Sequence, residues 1–401
     1  MPALRTFFPL AGLHAVFVVS LWPLALLAGD WPLIDRARLG PWHAVELIYG
    51  YVPAVLAGFI LTALPRWTGE ALVPPPPLRA LAALWLAGRV GAIVALAGRI
   101  EWLLGIGSLF AIVLAVLICR YLVAARNTRN AIVAILLSLF AVGAAVQCLS
   151  TGPGDDARLA QRIGIAAVLG LVMVFGGRIT PALTDTVLAL RGGAARCGRR
   201  PLIEFPSALL AAAALASWVV APRGWITASL CAAAALGQSL RLAQWRGRSV
   251  IRVPNVWVFH AAYAGVPLGF ALIALASFPP AAVPDEAGIH AWTMGAIALM
   301  SLAVMTSMTR RQTGLPFEGS AVANAAYLLA GAAAVCRVGA TFEPLAAKAL
   351  LVTSALSWLA AFGLFLLFFV SRLIRAERST SRVPASSERT MCAENGRRDC
   401  R

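Results

Sequence analysis

Residues 130–149 read NAIVAILLSLFAVGAAVQCL, twenty positions without one acidic or basic side chain. Arg126 and Arg129 stand just before this run, and Gly152-Pro153-Gly154-Asp155 follows it. A helix rises 1.5 Å per residue, so about twenty apolar residues cross the ~30 Å hydrocarbon core of a bilayer. Charge and turn chemistry at the two ends mark where such a segment meets water. Residues 130–149 are therefore a membrane helix, and the same signature recurs outward in both directions. Twelve spans are expected, near 7–29, 43–65, 78–98, 101–120, 130–149, 159–186, 206–222, 225–241, 254–278, 288–308, 320–338 and 345–371. Pro74 to Pro77 separates the second and third. In the long sixth span, Gly176-Gly177 with Pro181 predicts a break or kink.

Composition excludes the soluble alternatives. The 401 residues are 60% hydrophobic and 13% charged, with a mean hydropathy of +0.81. A soluble domain needs about a quarter of its residues charged, and no stretch here is polar enough to build one. The fold class is thus an all-α integral membrane protein, a polytopic bundle of about 12 transmembrane helices forming one domain over residues 1–374. The polar segment 375–401 has no apolar period and reads as a disordered cytoplasmic tail. A net charge of +17 would suit nucleic acid, but the arginines punctuate apolar runs instead of gathering in one domain. The partner they imply is membrane lipid. Seven cysteines show no CxxC and no metal-ligand spacing, so no structural disulfide is expected. Leu10 to Leu27 lacks a following A-x-A-like cleavage site and reads as a retained first helix.

Loop charges set the orientation. On the amino-terminal side the loops and tail carry 24 basic residues, against eight on the other: Arg36, Arg38, Arg99, Arg158, Arg162, Arg223, Arg337 and Lys348. Basic residues mark the cytoplasmic face. Both termini are expected in the cytoplasm.

Titratable groups at membrane depth mark interior sites, because each costs a few kcal/mol there. His43 and Glu46 lie at the outer end of span two, three residues apart and so on one helical face. His290 opens span ten at the same level. Neutral imidazoles at matching depth suit haem iron or copper. His260 lies toward the cytoplasmic side, where Arg178 approaches from span six. Arg89 falls mid-span in helix three. The two arginines suit haem propionates or an anionic substrate, or equally snorkelling and helix carbonyls. His14, alone in span one, reads as an interhelical hydrogen-bonding residue, and the same bland role is open to each of the other histidines.

These motifs resemble the NnrS family, bacterial membrane proteins linked to nitric oxide and described as containing haem and copper. The resemblance rests on Trp42-His43-Ala44-x-Glu46, Gly58-Phe59-Ile60-Leu61-Thr62-Ala63 and Trp67-Thr68-Gly69. It continues through Gly176-Gly177-Arg178-Ile179-x-Pro181 and Val253-Pro254-x-x-Trp257-x-x-His260-x-x-Tyr263. It closes with His290-Ala291-x-Thr293-x-Gly295-Ala296-Ile297, Met305-Thr306 and Thr313-Gly314. It implies a bacterial inner-membrane protein of the nitric oxide or nitrosative stress response. It further implies haem on the periplasmic side between helices two and ten, ligated by His43 and His290, with Glu46 and Trp42 close around it. Val45, Gln238 and Gln312 stand where the family pattern has histidine, which weakens an inner metal site around His260 and with it copper, since glutamine is the poorer ligand. Two alternatives stay open. One is a permease whose polar path is lined by Arg89, Arg178 and Glu46; the other is a metal-poor paralogue acting through protein contacts.

Overall fold

A computed structural model describes residues 2–27, 36–98, 100, 102–150, 154–192, 197–198, 200–278 and 283–380. The tail assigned to disorder lies mostly outside these residues. Among them, twelve helices are long and apolar enough to cross a membrane. They are α1 Pro2–Ala25, α2 Arg38–Thr68, α3 Pro75–Ala97, α4 Trp102–Ala124, α5 Thr128–Leu149 and α6 Asp155–Leu190. The second half comprises α7 Pro201–Val220, α8 Trp225–Ala243, α9 Pro254–Ser277, α10 Asp285–Gln312, α11 Ala321–Gly339 and α12 Ala347–Arg375. Each expected span is present, and the described residues contain no strand.

Local chemistry sets the helix ends. Gly69 takes a left-handed φ of 75° beyond α2, and its N–H donates to the Pro65 carbonyl at 2.9 Å, a cap that a side chain would strain. Proline opens α3, α7 and α9, where its missing N–H is no loss. Asp155 and Asp156 occupy the first turn of α6, complementing its dipole.

Three helices form the centre. α2, α6 and α10 are 31, 36 and 28 residues long, bury most of their surface and touch one another pairwise. The other helices surround them, and α1 packs against both α2 and α12. The central three are separated by four crossings each, so they traverse the bilayer in the same direction. Their first turns therefore collect at one level, opposite the amino terminus. α2 and α10 each widen into π geometry soon after that turn, at Glu46–Tyr51 and Ala291–Ala298.

Of the break or kink expected in α6, a break does not occur. The helix continues through Gly176, Gly177 and Pro181, because the glycines serve neighbouring side chains instead. A Cβ on Gly177 would fall 2.2 Å from an Arg241 guanidinium nitrogen, and one on Gly176 would meet Tyr263 and Met300 at 3.0 Å.

Candidate functional site: an outer cavity between α2 and α10

Where the first turns of α2, α6 and α10 gather, they surround a cavity of about 730 Å³. Its deeper walls are apolar, with Leu47, Ile48, Val168, Ile297 and Trp358 among them. Around its mouth stand Arg158, Gln161 and Arg162 of α6, Asp285 and Glu286 of α10, and Arg337 at the end of α11. His43 and His290 both line it. Their imidazoles lie within electrostatic reach of each other and of Arg337.

The two rings are prepared differently. Trp22 packs edge-on against His43, centroid to centroid 5.6 Å, and the His43 Nδ1 is buried with no hydrogen-bond partner. An unpartnered ring nitrogen enclosed in an apolar wall is costly. His290 Nδ1 lies 2.7 Å from the Glu286 carbonyl oxygen, an oxygen that can only accept. The proton of the neutral ring therefore sits on Nδ1, which leaves Nε2 as a bare lone pair. A hydrogen bond of this kind also fixes ring orientation and raises ligand basicity.

Glu46 and Trp42 do not join this cavity. Trp42 Nε1 donates to the Ala92 carbonyl at 2.9 Å, holding α2 to α3. Glu46 turns toward α1 and α3, where Arg89 Nη1 donates to its Oε1 and His14 Nε2 lies 3.2 Å from its Oε2. All three side chains are buried. Arg89 also donates to the Gly107 carbonyl at 2.6 Å, and Trp85, which donates to the Gly50 carbonyl at 2.9 Å, sits beneath its guanidinium. His14 is thus part of a buried charge cluster that links α1, α2 and α3.

The inner residues separate into distinct contacts. Arg178 donates to Asn130 Oδ1 at 2.7 Å and to the Arg129 carbonyl at 3.2 Å. His260 Nε2 is 2.9 Å from the Thr184 hydroxyl. Gln238 accepts from the Tyr263 hydroxyl at 2.6 Å and donates to the Ser207 carbonyl at 2.8 Å. Arg241 donates to Glu204 and Tyr263, at 2.7 and 2.6 Å. Among the described residues no three of His, Cys, Asp and Glu group closely enough to hold an ion. Arg89 and Glu46 pair with each other, whereas Arg178 bonds to Asn130 and the Arg129 carbonyl.

Sequence reading missed the cationic mouth. Arg158, Arg162 and Arg337 were counted as loop charges, and only their positions at the outer ends of α6 and α11 signalled that they stand level with His43 and His290. Taken chemically, the outer cavity offers two imidazole side chains, broad apolar walls and guanidinium groups at its mouth. A flat, apolar ligand with anionic groups at one edge suits it. A family profile described as NnrS protein matches residues 2–377. No curated protein matches the sequence.

Proposed function

Because this chain belongs to the NnrS family, we propose that it is a haem-binding membrane protein of the nitric-oxide response. In this reading it resides in a bacterial inner membrane with both termini in the cytoplasm, and haem lies between α2 and α10 on the periplasmic side. Family membership supports the nitric-oxide response in general and the multi-pass membrane location. The finer statement rests on one observation: His43, with an orphaned buried nitrogen, and His290, with its tautomer set by Glu286, line one cavity.

The donor set favours haem over a bare ion. A structural or catalytic metal bound by protein alone requires three or four side-chain ligands, whereas haem iron already has four equatorial nitrogens and takes axial imidazole from the protein. Two histidines suffice for haem and fall short of a copper cage. A volume of about 730 Å³ is also within the ~300–1,000 Å³ range of cofactor pockets. When bound, haem supplies diatomic-gas binding and one-electron redox chemistry. His43 and His290 would hold the iron, the Glu286 carbonyl would fix the orientation of the His290 ring, and the apolar walls would keep water from the cofactor.

Spectroscopy of the detergent-purified protein tests this. Protein made with ample haem should show a Soret band and a pyridine haemochrome, and the His43→Ala/His290→Ala double variant should lose both. A colourless wild-type protein, or a Soret band that survives in the double variant, would refute the proposal.

A further inference from the structure

Arg337 is half-buried at the end of α11, where it lines the outer cavity beside both histidines. Among the described residues it makes no hydrogen bond and no ion pair within 4 Å; the carboxylate whose field reaches it belongs to Glu286, which is exposed. Arg162 is in a related position. Its Nε donates to the Val219 carbonyl at 3.1 Å, while its terminal nitrogens have no partner among the described residues. Other arginines near this level are neutralised locally, Arg158 by Asp155 at 2.5 Å and Arg223 by Asp285 at 3.2 Å. Guanidinium groups withdrawn from bulk water beside an apolar cavity are costly unless an anion meets them. A planar fork of donors is matched geometrically by a carboxylate.

We propose that Arg337, together with Arg162 on the same cavity, binds carboxylate groups on the ligand of the outer cavity, and that this ligand is therefore recognised as an anion. For a porphyrin the carboxylates are its two propionates, held toward the mouth while the ring occupies the apolar interior. The inference rests on the porphyrin reading of the cavity but not on iron ligation. Arg337 acts as a binding and positioning residue; His43 and His290 would be the iron ligands.

The test separates these layers by using iron-free protoporphyrin and its dimethyl ester with the purified full chain, reading quenching of the cavity tryptophans Trp22, Trp218 and Trp358. The free acid should bind about tenfold or more tightly than the ester, the scale expected for a charge-assisted hydrogen bond. Arg337→Gln should weaken the acid by a similar factor and leave the ester unchanged, and Arg337→Lys should recover part of the difference. Equal affinity of acid and ester for the wild-type protein would overturn the inference, and that comparison needs no variant to fold. Full discrimination in a folded Arg337→Gln protein would overturn the role of Arg337. Binding of neither porphyrin would remove the porphyrin reading itself. A lost Soret band in the histidine variants with acid-over-ester preference intact would separate iron ligation from anion recognition.

Discussion

Replacing Arg89 by alanine isolates the buried cluster beside the cavity from the cavity itself. Arg89 and Glu46 are 6% and 1% exposed, and Arg89 also serves the Gly107 carbonyl and lies over Trp85. Removing one member of a buried ion pair costs about 3–5 kcal/mol, because the remaining charge is left without compensation. Loss of the Gly107 bond adds about 1 kcal/mol. A net loss of about 4 kcal/mol is therefore expected. The double variant Glu46→Leu/Arg89→Met removes both charges and should lie within about 1 kcal/mol of wild type. Reversible unfolding in mixed micelles, followed by tryptophan fluorescence, gives both values and the coupling between the sites. Haem content per folded molecule should stay unchanged, since neither residue lines the cavity. An Arg89→Ala effect below about 1 kcal/mol, or a double variant as unstable as the sum of the singles, would refute the ion-pair account.

Two further outcomes are expected. Gly265→Ala should destabilise by about 1–3 kcal/mol and lower haem occupancy, because a Cβ there falls 2.6 Å from the Ala296 backbone nitrogen in the π-turn that follows His290; wild-type melting and occupancy in this variant would count against that close approach. Reporter fusions should read cytoplasmic after Gly247 and periplasmic after Pro284, following the basic-residue bias, and the reverse pattern would overturn the orientation.

The sequence made depth legible and direction illegible. Hydropathy located all twelve spans because membrane solvent imposes one requirement on each: backbone bonds satisfied internally and an apolar exterior over a fixed thickness. Span parity then put His43 and His290 at one level, where they line one cavity. Facing is a different quantity. His43 and Glu46, three residues apart, share a side of an ideal helix, yet one lines the cavity and the other reaches α1 and α3. A three-residue step leaves side chains roughly 60° apart at 3.6 residues per turn, enough to separate them at a crowded junction. The helix also widens at Glu46 itself. Likewise, Gly176-Gly177 leaves room for Arg241 and Tyr263, which come from α8 and α9 and which nothing local in the sequence encodes.

The same limit bears on how the arginines read. Charge in an apolar run attracts notice, so Arg89 and Arg178 read either as partners of an anionic ligand or as snorkelling and carbonyl-bonded residues, while Arg162 and Arg337 near helix ends read as loop charges. Depth raises the penalty for leaving a guanidinium unsatisfied. A deep arginine must carry its partners with it: Arg89 has Glu46 and Gly107, Arg178 has Asn130, and Arg241 has Glu204 and Tyr263. Such residues are already spent on holding helices together. Spare donors are tolerable only near the water boundary, and a ligand whose anionic edge faces outward meets them there. The stronger the intramembrane anomaly in sequence, the more completely the fold has answered it. On the proposal that Arg337 and Arg162 meet a carboxylate, ligand recognition falls to the milder charges at the rim.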